Sequence, residues 1–427
     1  MRAAPHICII TPGALGSTPR VVKEAQVLTE AGFEVTVIAT RTRDLVDLLD
    51  HDILARARWR AKRVDFRSRW KWRIRRTGQI ALTRFFATTG WELFVDRGFS
   101  AFTGNLIAAA KEVKARLYIA HYPAALPAAA IAARSHDAIY AFDAEDFHLG
   151  DRPDGPANDL ERRMIRAIEG RYLPGCAYVT AAAPGIADAY TDAYGISRPT
   201  VVLNVFPRIQ APAGPTPSGT ARPGPSVYWF SQTIGPDRGL ECAVRAIGSA
   251  RSRPHLYLRG MPATGYIEGL RRVAMEAGAV DRLHVLPSAP SFQMERLAAV
   301  YDLGLSGEPG HTPNNRLALG NKLFTYLLAG LPIVASTIPS HVSFAAEVDG
   351  AMRLYAVDDA YALAAAIDGL CEDPRALATA RAAAFALGQT RYNWDLEQSV
   401  LLTQIEASLS NGGKCARRSG VKNWRQL

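Results

Sequence analysis

LSGEPGHTPNNRLALGNKLFTYLLAGLPIVAS, residues 305–336, reads as the end of a strand, a polar loop, a short helix and a buried strand in immediate succession. The loop carries one carboxylate, Glu308, and the helix opens at Asn321 and Lys322. A helix start of this kind points backbone N–H groups and an ammonium at whatever anion sits before it. A diphosphate is the expected guest.

Working outward, strands of four to six residues alternate with helical stretches of about ten, which indicates parallel sheets. Beyond a segment at 210–225 made of Pro, Gly, Ser, Thr and Ala, strands are expected at 226–230, 255–259, 283–286, 303–305 and 332–335. Before it they are expected at 6–11, 33–39, 117–120, 139–143, 178–182 and 200–203. The domains then run 1–209, with a basic aromatic insertion at 55–76, a linker at 210–225 and a second domain at 226–390. A closing helix at 391–410 and a disordered basic tail at 411–427 complete the chain. Two parallel sheets joined by one linker leave a cleft, and ligands in such folds collect at the carboxyl ends of strands.

The chain has 427 residues, 48% hydrophobic and 21% charged, with a formal net charge of +10. This is ordinary globular material, too long for one small core. There is no apolar run long enough to span a bilayer, and the N-terminus enters a strand without a secretory pattern. The five cysteines lie far apart and in no metal-binding spacing, so they read as buried free thiols of a reducing compartment. No metal and no cofactor are expected, and the expected location is cytoplasmic.

Charge is concentrated. Residues 56–76 hold eleven Arg or Lys against one acid, Asp65, with Trp59, Phe66, Trp70 and Trp72 interleaved. As a helix this stretch has the composition of an interfacial segment on an anionic leaflet, where each cation contributes roughly 1 kcal/mol. Trp59, Arg67, Arg69, Trp70, Lys71, Trp72 and Arg73 are the candidate membrane-binding residues. No groove-reading module accompanies the charge, so nucleic acid is not an expected partner.

Glu308-Pro309, the string NKLFTY at 321–326 and AGLPIVAS at 329–336 resemble the donor half of retaining GT-B glycosyltransferases of the large family 4. The resemblance extends to Pro19-Arg20 before the first helix, to His121 in HYPAALP, and to Arg238 before Gly-Leu-Glu. It implies the GT-B fold, two Rossmann-like parallel-sheet domains facing across a cleft. It also implies a metal-independent enzyme moving a sugar from a nucleotide diphosphate sugar to a hydroxyl of a saccharide or lipid-linked acceptor.

In that scheme Arg238 and Lys322 neutralise the leaving diphosphate and His121 positions the donor sugar. Gly16, Gln232, Thr233, Glu308, Asn321 and Thr325 fall at donor-binding positions, and Glu145 and Asp146 on the acceptor side. Two letters depart from the pattern. Thr233 stands where a phosphate-binding cation is usual, and Thr325 where a Glu binds the ribose hydroxyls. Losing that charge-assisted contact would cost about 1.5–3 kcal/mol. The alternative is therefore a degenerate, non-catalytic protein of the same fold that binds sugar or membrane as a scaffold.

Overall fold

The computed structural model describes residues 4–42, 44–215 and 223–415. Two compact units emerge: unit 1 is Met1–Val202 with Gln398–Leu427, and unit 2 is Leu203–Glu397.

Unit 1 is built on seven parallel strands: β1 (His6–Ile10), β2 (Glu34–Arg41), β3 (Arg60–Asp65), β4 (Leu117–His121), β5 (Ile139–Ala144), β6 (Val179–Ala181) and β7 (Thr200–Val201). Their order is β3-β2-β1-β4-β5-β6-β7. The apolar run of β1 lies inside the sheet between β2 and β4, and Ile7, Cys8, Ile9 and Ile10 are fully buried, as expected of a parallel strand covered on both faces. Chain order reverses between β1 and β4, so the loops after these two strands diverge and leave a crevice at their carboxyl ends.

Unit 2 repeats the design with six: β8 (Ser226–Ile234), β9 (His255–Pro262), β10 (Leu283–Leu286), β11 (Leu303–Ser306), β12 (Ile333–Ser336) and β13 (Met352–Tyr355). The order is β10-β9-β8-β11-β12-β13, with its reversal between β8 and β11. Val227 and Trp229 of β8 and Leu256 and Leu258 of β9 pack with Leu240, Val244 and Ile247 of the following helix into one core.

Three features differ from the sequence reading. The basic stretch is divided: residues 60–65 form the edge strand β3, and a helix runs from Arg69–Thr89. Cations suit an exposed sheet edge because they discourage pairing with another chain. Here they also have partners, Arg60 with Glu34 (2.7 Å) and Arg63 with Asp47 (2.6 Å). Trp59 and Phe66 are buried rather than presented to a surface.

Second, the unit boundary falls at Val202/Leu203, ahead of 210–225. Residues 203–209 are tied to unit 2 by Leu203 N–H donating to Glu397, Arg208 N–H to Asp395 and Trp394 N–H to Phe206 O. Composition marked the Pro-rich stretch, but these hydrogen bonds place residues 203–209 with unit 2. Third, the last helix, Trp394–Cys415, begins in unit 2 and continues in unit 1, five residues past the expected end. The rest of the expected tail, 416–427, lies outside the described residues, as do 216–222 of the expected linker.

The helix Asn321–Ala329 is held from behind by the helix Pro374–Thr390 at a glycine. A Cβ on Gly388 would stand 2.6 Å from Leu327 O and from Leu328 Cα. Gly388→Ala should therefore lower the urea midpoint, by about 1–3 kcal/mol of overpacking strain. Gly78→Ala, in a helix where nothing lies within 4 Å of the added atom, should leave the midpoint unchanged or raise it. Equal midpoints for wild type and Gly388→Ala would contradict this packing.

Candidate functional site

Unit 2 brings the expected donor residues to the reversal point of its sheet. The loop after β8 carries Arg238 between two left-handed residues, Asp237 (φ 59°) and Gly239 (φ 69°). Gly239 is required there twice over, since a Cβ would come within 2.1 Å of the Gly307 carbonyl oxygen. That approach joins the loop after β8 to the loop after β11, which holds Glu308. Arg238 is half-buried and makes no side-chain hydrogen bond or ion pair among the described residues.

Lys322 opens the helix Asn321–Ala329, whose preceding residue, Gly320, offers no capping side chain. In its first turn Leu323 N–H donates to Gly320 O (3.1 Å), no side chain caps Asn321 N–H or Lys322 N–H, and Asn321 is exposed. The Lys322 ammonium is ion-paired to Glu308 Oε1 and lies 5.6 Å from the centre of the Trp229 ring. Ser306 Oγ donates to Glu308 Oε2 (2.7 Å), and Ser336 Oγ donates to the Glu308 carbonyl (2.6 Å). Burial alone would raise the Glu308 carboxyl, but Lys322 and then His341 outweigh it and hold it down to about 2. Glu308 is thus a fixed carboxylate whose partner cation sits at a helix N-terminus.

Gln232 lies within a register irregularity of β8 between Phe230 and Thr233, and both Gln232 and Thr233 are exposed. Thr325 differs from expectation. It is fully buried, and its Oγ1 donates to Glu295 Oε1 (3.0 Å), itself fully buried on the helix Met294–Ala298. In this structure the threonine hydroxyl is committed inward and cannot reach a ribose. A carboxylate does stand next to that position, contributed by another helix. Nothing in the sequence singled out Glu295, because its neighbour is thirty residues away along the chain.

Unit 1 gathers a dense ionic network. His121, at the end of β4, has no exposed surface, and both ring nitrogens are engaged: Nε2 with Glu24 (2.7 Å), Nδ1 with Glu145 (3.0 Å) and Asp143 (3.3 Å). Arg20 forks onto Asp143 through Nε (2.6 Å) and Nη2 (2.8 Å) and donates to Val202 O (2.9 Å). Burial pulls the His121 pKa down, but Glu145 and Glu24 more than reverse this and raise it to about 10. Asp143, opposed by burial and favoured by Arg20 and His121, is held at about 2. Three carboxylates thus face two cations.

This arrangement places the expected sugar-positioning residue His121 inside the ionic network. A doubly bonded, wholly buried imidazolium does not present a nitrogen to a sugar. Glu145, 14% exposed, is the network's outward member, and Asp146 follows it at the carboxyl end of β5. His121, Asp143 and Glu145 have ligand atoms within 4.8 Å of one another, close enough for a metal by spacing. The donor set argues otherwise, since a cation would have to displace the imidazole proton and compete with Arg20.

Sequence reasoning missed Arg20 and Glu24 as partners. They lie four residues apart on the helix Pro19–Glu30, so their common face was available from helical spacing. Gly16 also takes a structural place. Its N–H donates to Asp50 (2.7 Å), and a Cβ would meet Leu49 at 2.8 Å.

The expected membrane residues separate. Trp59 is buried, and Trp72 packs on Phe66 and Phe102 at 6.2 and 5.5 Å between ring centres. Arg67 pairs with Asp65 (2.8 Å). Trp70 is 63% exposed and Arg73 is exposed, on the helix that also contains Arg69 and Lys71.

No protein-family model and no curated protein match the chain. Solved structures do. HepE of Anabaena, crystallised with UDP and glucose, superposes with a TM-score of 0.70 at 16% identity, covering 94% of this chain and 100% of that one. Sucrose-phosphate synthase of Thermosynechococcus elongatus gives 0.70 at 14% identity, over 95% and 99%. A glycosyltransferase of Rickettsia africae gives 0.69 at 13% identity, over 96% and 99%. With two parallel, Rossmann-like sheets and these neighbours, the chain has the GT-B fold of glycosyltransferases.

Proposed function

We propose that this protein transfers a sugar from a nucleotide diphosphate sugar to a hydroxyl of a saccharide or lipid-linked acceptor, with retention at the anomeric carbon and without a metal. The observation that supports this reading is a helix N-terminus without a capping side chain that bears Lys322, in the connection after β11 that the Arg238–Gly239 turn approaches, at the reversal point of the sheet. The crystallised ligands of HepE, UDP and glucose, belong to the same chemical class.

In this scheme the diphosphate oxygens accept hydrogen bonds from the first-turn N–H groups, Lys322 Nζ and the Arg238 fork. These donors bind the leaving group most strongly as its negative charge grows, which lowers the barrier. Glu308 accepts from hydroxyls of the donor. The bond from the anomeric carbon to phosphate breaks as the bond to the acceptor oxygen forms on the same face, and the departing phosphate takes the acceptor proton. No step requires His121 to touch the sugar; it is a positioning residue that fixes Glu145.

The second reading, a non-catalytic sugar- or membrane-binding scaffold, is favoured by one observation, the inward commitment of Thr325. A panel of nucleotide sugars separates the two. Wild type should release nucleotide diphosphate from at least one donor, and Arg238→Ala should lower that rate about 10²–10³-fold while keeping the fold. Cleavage of no donor by a folded wild-type protein would support the scaffold, and full activity in Arg238→Ala would remove that residue from the site.

We assign the acceptor side to the cytoplasmic face of an anionic membrane. No helix among the described residues is long and apolar enough to cross a bilayer. The helix Arg69–Thr89 and the turn after it expose Trp70, Ile74, Phe85, Trp91, Leu93 and Phe94, with Arg73, Arg76 and Arg84 also exposed. Apolar anchors among cations complement an anionic leaflet. Arg73→Glu, Arg76→Glu and Arg84→Glu together should release the protein from phosphatidylserine vesicles in sedimentation, and undiminished binding would point to another surface.

The pH dependence of unit 1 follows from His121. Its folded-state value, about 10, lies above the ordinary 6.5, so its stabilisation is whole below 6.5 and is lost as pH rises through about 10. His121→Gln should cost about 3–5 kcal/mol near neutral pH, because it leaves buried carboxylates short of a cation. The difference in melting temperature from wild type should shrink toward pH 10. A difference that stays constant with pH would show that the imidazolium is not the source.

A further inference from the structure

Tyr355 ends β13, at the carboxyl end of the unit 2 sheet, and is 3% exposed. Its ring belongs to the core that holds Trp229, Leu240, Cys242 and Val334. Register sets it beside Ser336 of β12, and the phenol reaches past that small residue to the loop after β11. The close approach is at Gly307. A Cβ there would stand 2.8 Å from Tyr355 Oη and 3.7 Å from the carbonyl oxygen of Arg238. The tip of the tyrosine therefore sits where the Arg238–Gly239 turn meets the loop that carries Glu308.

Other hydroxyls in this part of the sheet are spent. Ser336 Oγ donates to the Glu308 carbonyl, and the Oη of Tyr326, also buried, lies 3.1 Å from each of the carbonyls of Tyr228 and Leu305. Tyr355 Oη makes no hydrogen bond among the described residues. It also keeps its proton, because burial raises its pKa well above the ordinary 10 and the charges on Cys242 and Glu308 would push the same way. The group is a donor without an acceptor. Such a donor is costly to leave unmet where water is scarce, so the place is shaped for a ligand that supplies an acceptor.

The surroundings define that acceptor. The helix Leu240–Ser249 begins at Gly239, which offers no capping side chain, and Cys242 of its first turn acts on the Tyr355 phenol. The Arg238 side chain makes no hydrogen bond or ion pair among the described residues. A helix N-terminus, a guanidinium and a phenol O–H are all donors, and together they call for an acceptor that carries negative charge. Glu308 does not fill this role, since its two carboxylate oxygens are taken by Lys322 and Ser306.

We infer that Tyr355 is a further donor-binding residue, whose hydroxyl donates to a phosphate oxygen of the nucleotide diphosphate beside Arg238. The inference rests on the glycosyl-transfer reading and adds one neutral contact to its two cations. Like them, the phenol binds the leaving group more strongly as negative charge grows on it.

Tyr355→Phe removes one oxygen and leaves the ring in the core, so it separates binding from packing. The two readouts are calorimetry of the full chain with UDP, GDP and ADP, and thermal melting without nucleotide. Wild type should bind at least one of the three nucleotides. Tyr355→Phe should weaken that binding about tenfold, as the loss of one hydrogen bond to a charged group requires. Its melting temperature without nucleotide should equal or exceed that of wild type, because the lost hydroxyl had no partner. A lowered melting temperature would show the hydroxyl already satisfied within the protein and would overturn the inference. Undiminished binding in Tyr355→Phe, with binding lost in Arg238→Ala, would also overturn it and leave the donor reading standing. Binding of none of the three by folded wild type would remove both.

Discussion

The Lys322–Glu308 ion pair is the central interaction of the candidate site in unit 2, tying the loop after β11 to the helix that starts at Asn321, and a second loop is held close to it. Gly239 lets the turn after β8 close on the carbonyl of Gly307, one residue before Glu308. Any side chain at Gly239 would separate the loops and with them Arg238 from the helix that starts at Asn321. Within this clasp the carboxylate is held charged by the ammonium, and the ammonium is held over the Trp229 ring. The result is a cation kept at a helix N-terminus in a fixed place, which in the proposed function exchanges part of its pairing for a phosphate oxygen. Preorganisation of this kind lowers the reorganisation needed when charge develops.

Unit 1 spends its charges differently. Arg20, His121, Glu24, Asp143 and Glu145 are nearly all consumed in pairing with one another, beneath the surface. Removing any one would strand its partner in a poorly solvated interior, which makes the network a structural commitment before it is anything else. His148 stands apart from it, with Nδ1 anchored to Glu169 and Tyr190 and a buried Nε2 that has no hydrogen-bond partner among the described residues.

Much of the fold was legible because parallel strands buried on both faces announce themselves as short apolar runs such as residues 6–10 and 333–336. β3 was not, since the edge strand RAKRVD carries more charge than apolar surface, and its cations and flanking aromatics suggested a helix instead. Of the candidate site, the loop carrying Glu308 and the helix start at Asn321 and Lys322 were legible from local order. The surroundings of Thr325, His121 and Gly16 were not legible for one shared reason. Each residue's role is set by a partner distant in sequence, Glu295 for Thr325, Glu24 for His121 and Asp50 for Gly16, and no local pattern reports such pairings. The exposed patch around Trp91 and Phe94 was overlooked because the charge run drew attention to residues ahead of it.

The account depends on a diphosphate meeting Lys322 and Arg238. A crystal structure with a bound nucleoside diphosphate tests this most directly. The account predicts phosphate oxygens within hydrogen-bond distance of Lys322 Nζ, the Arg238 guanidinium and the first N–H groups of the helix Asn321–Ala329. Phosphates seated elsewhere, with Lys322 still closed on Glu308 alone, would contradict it.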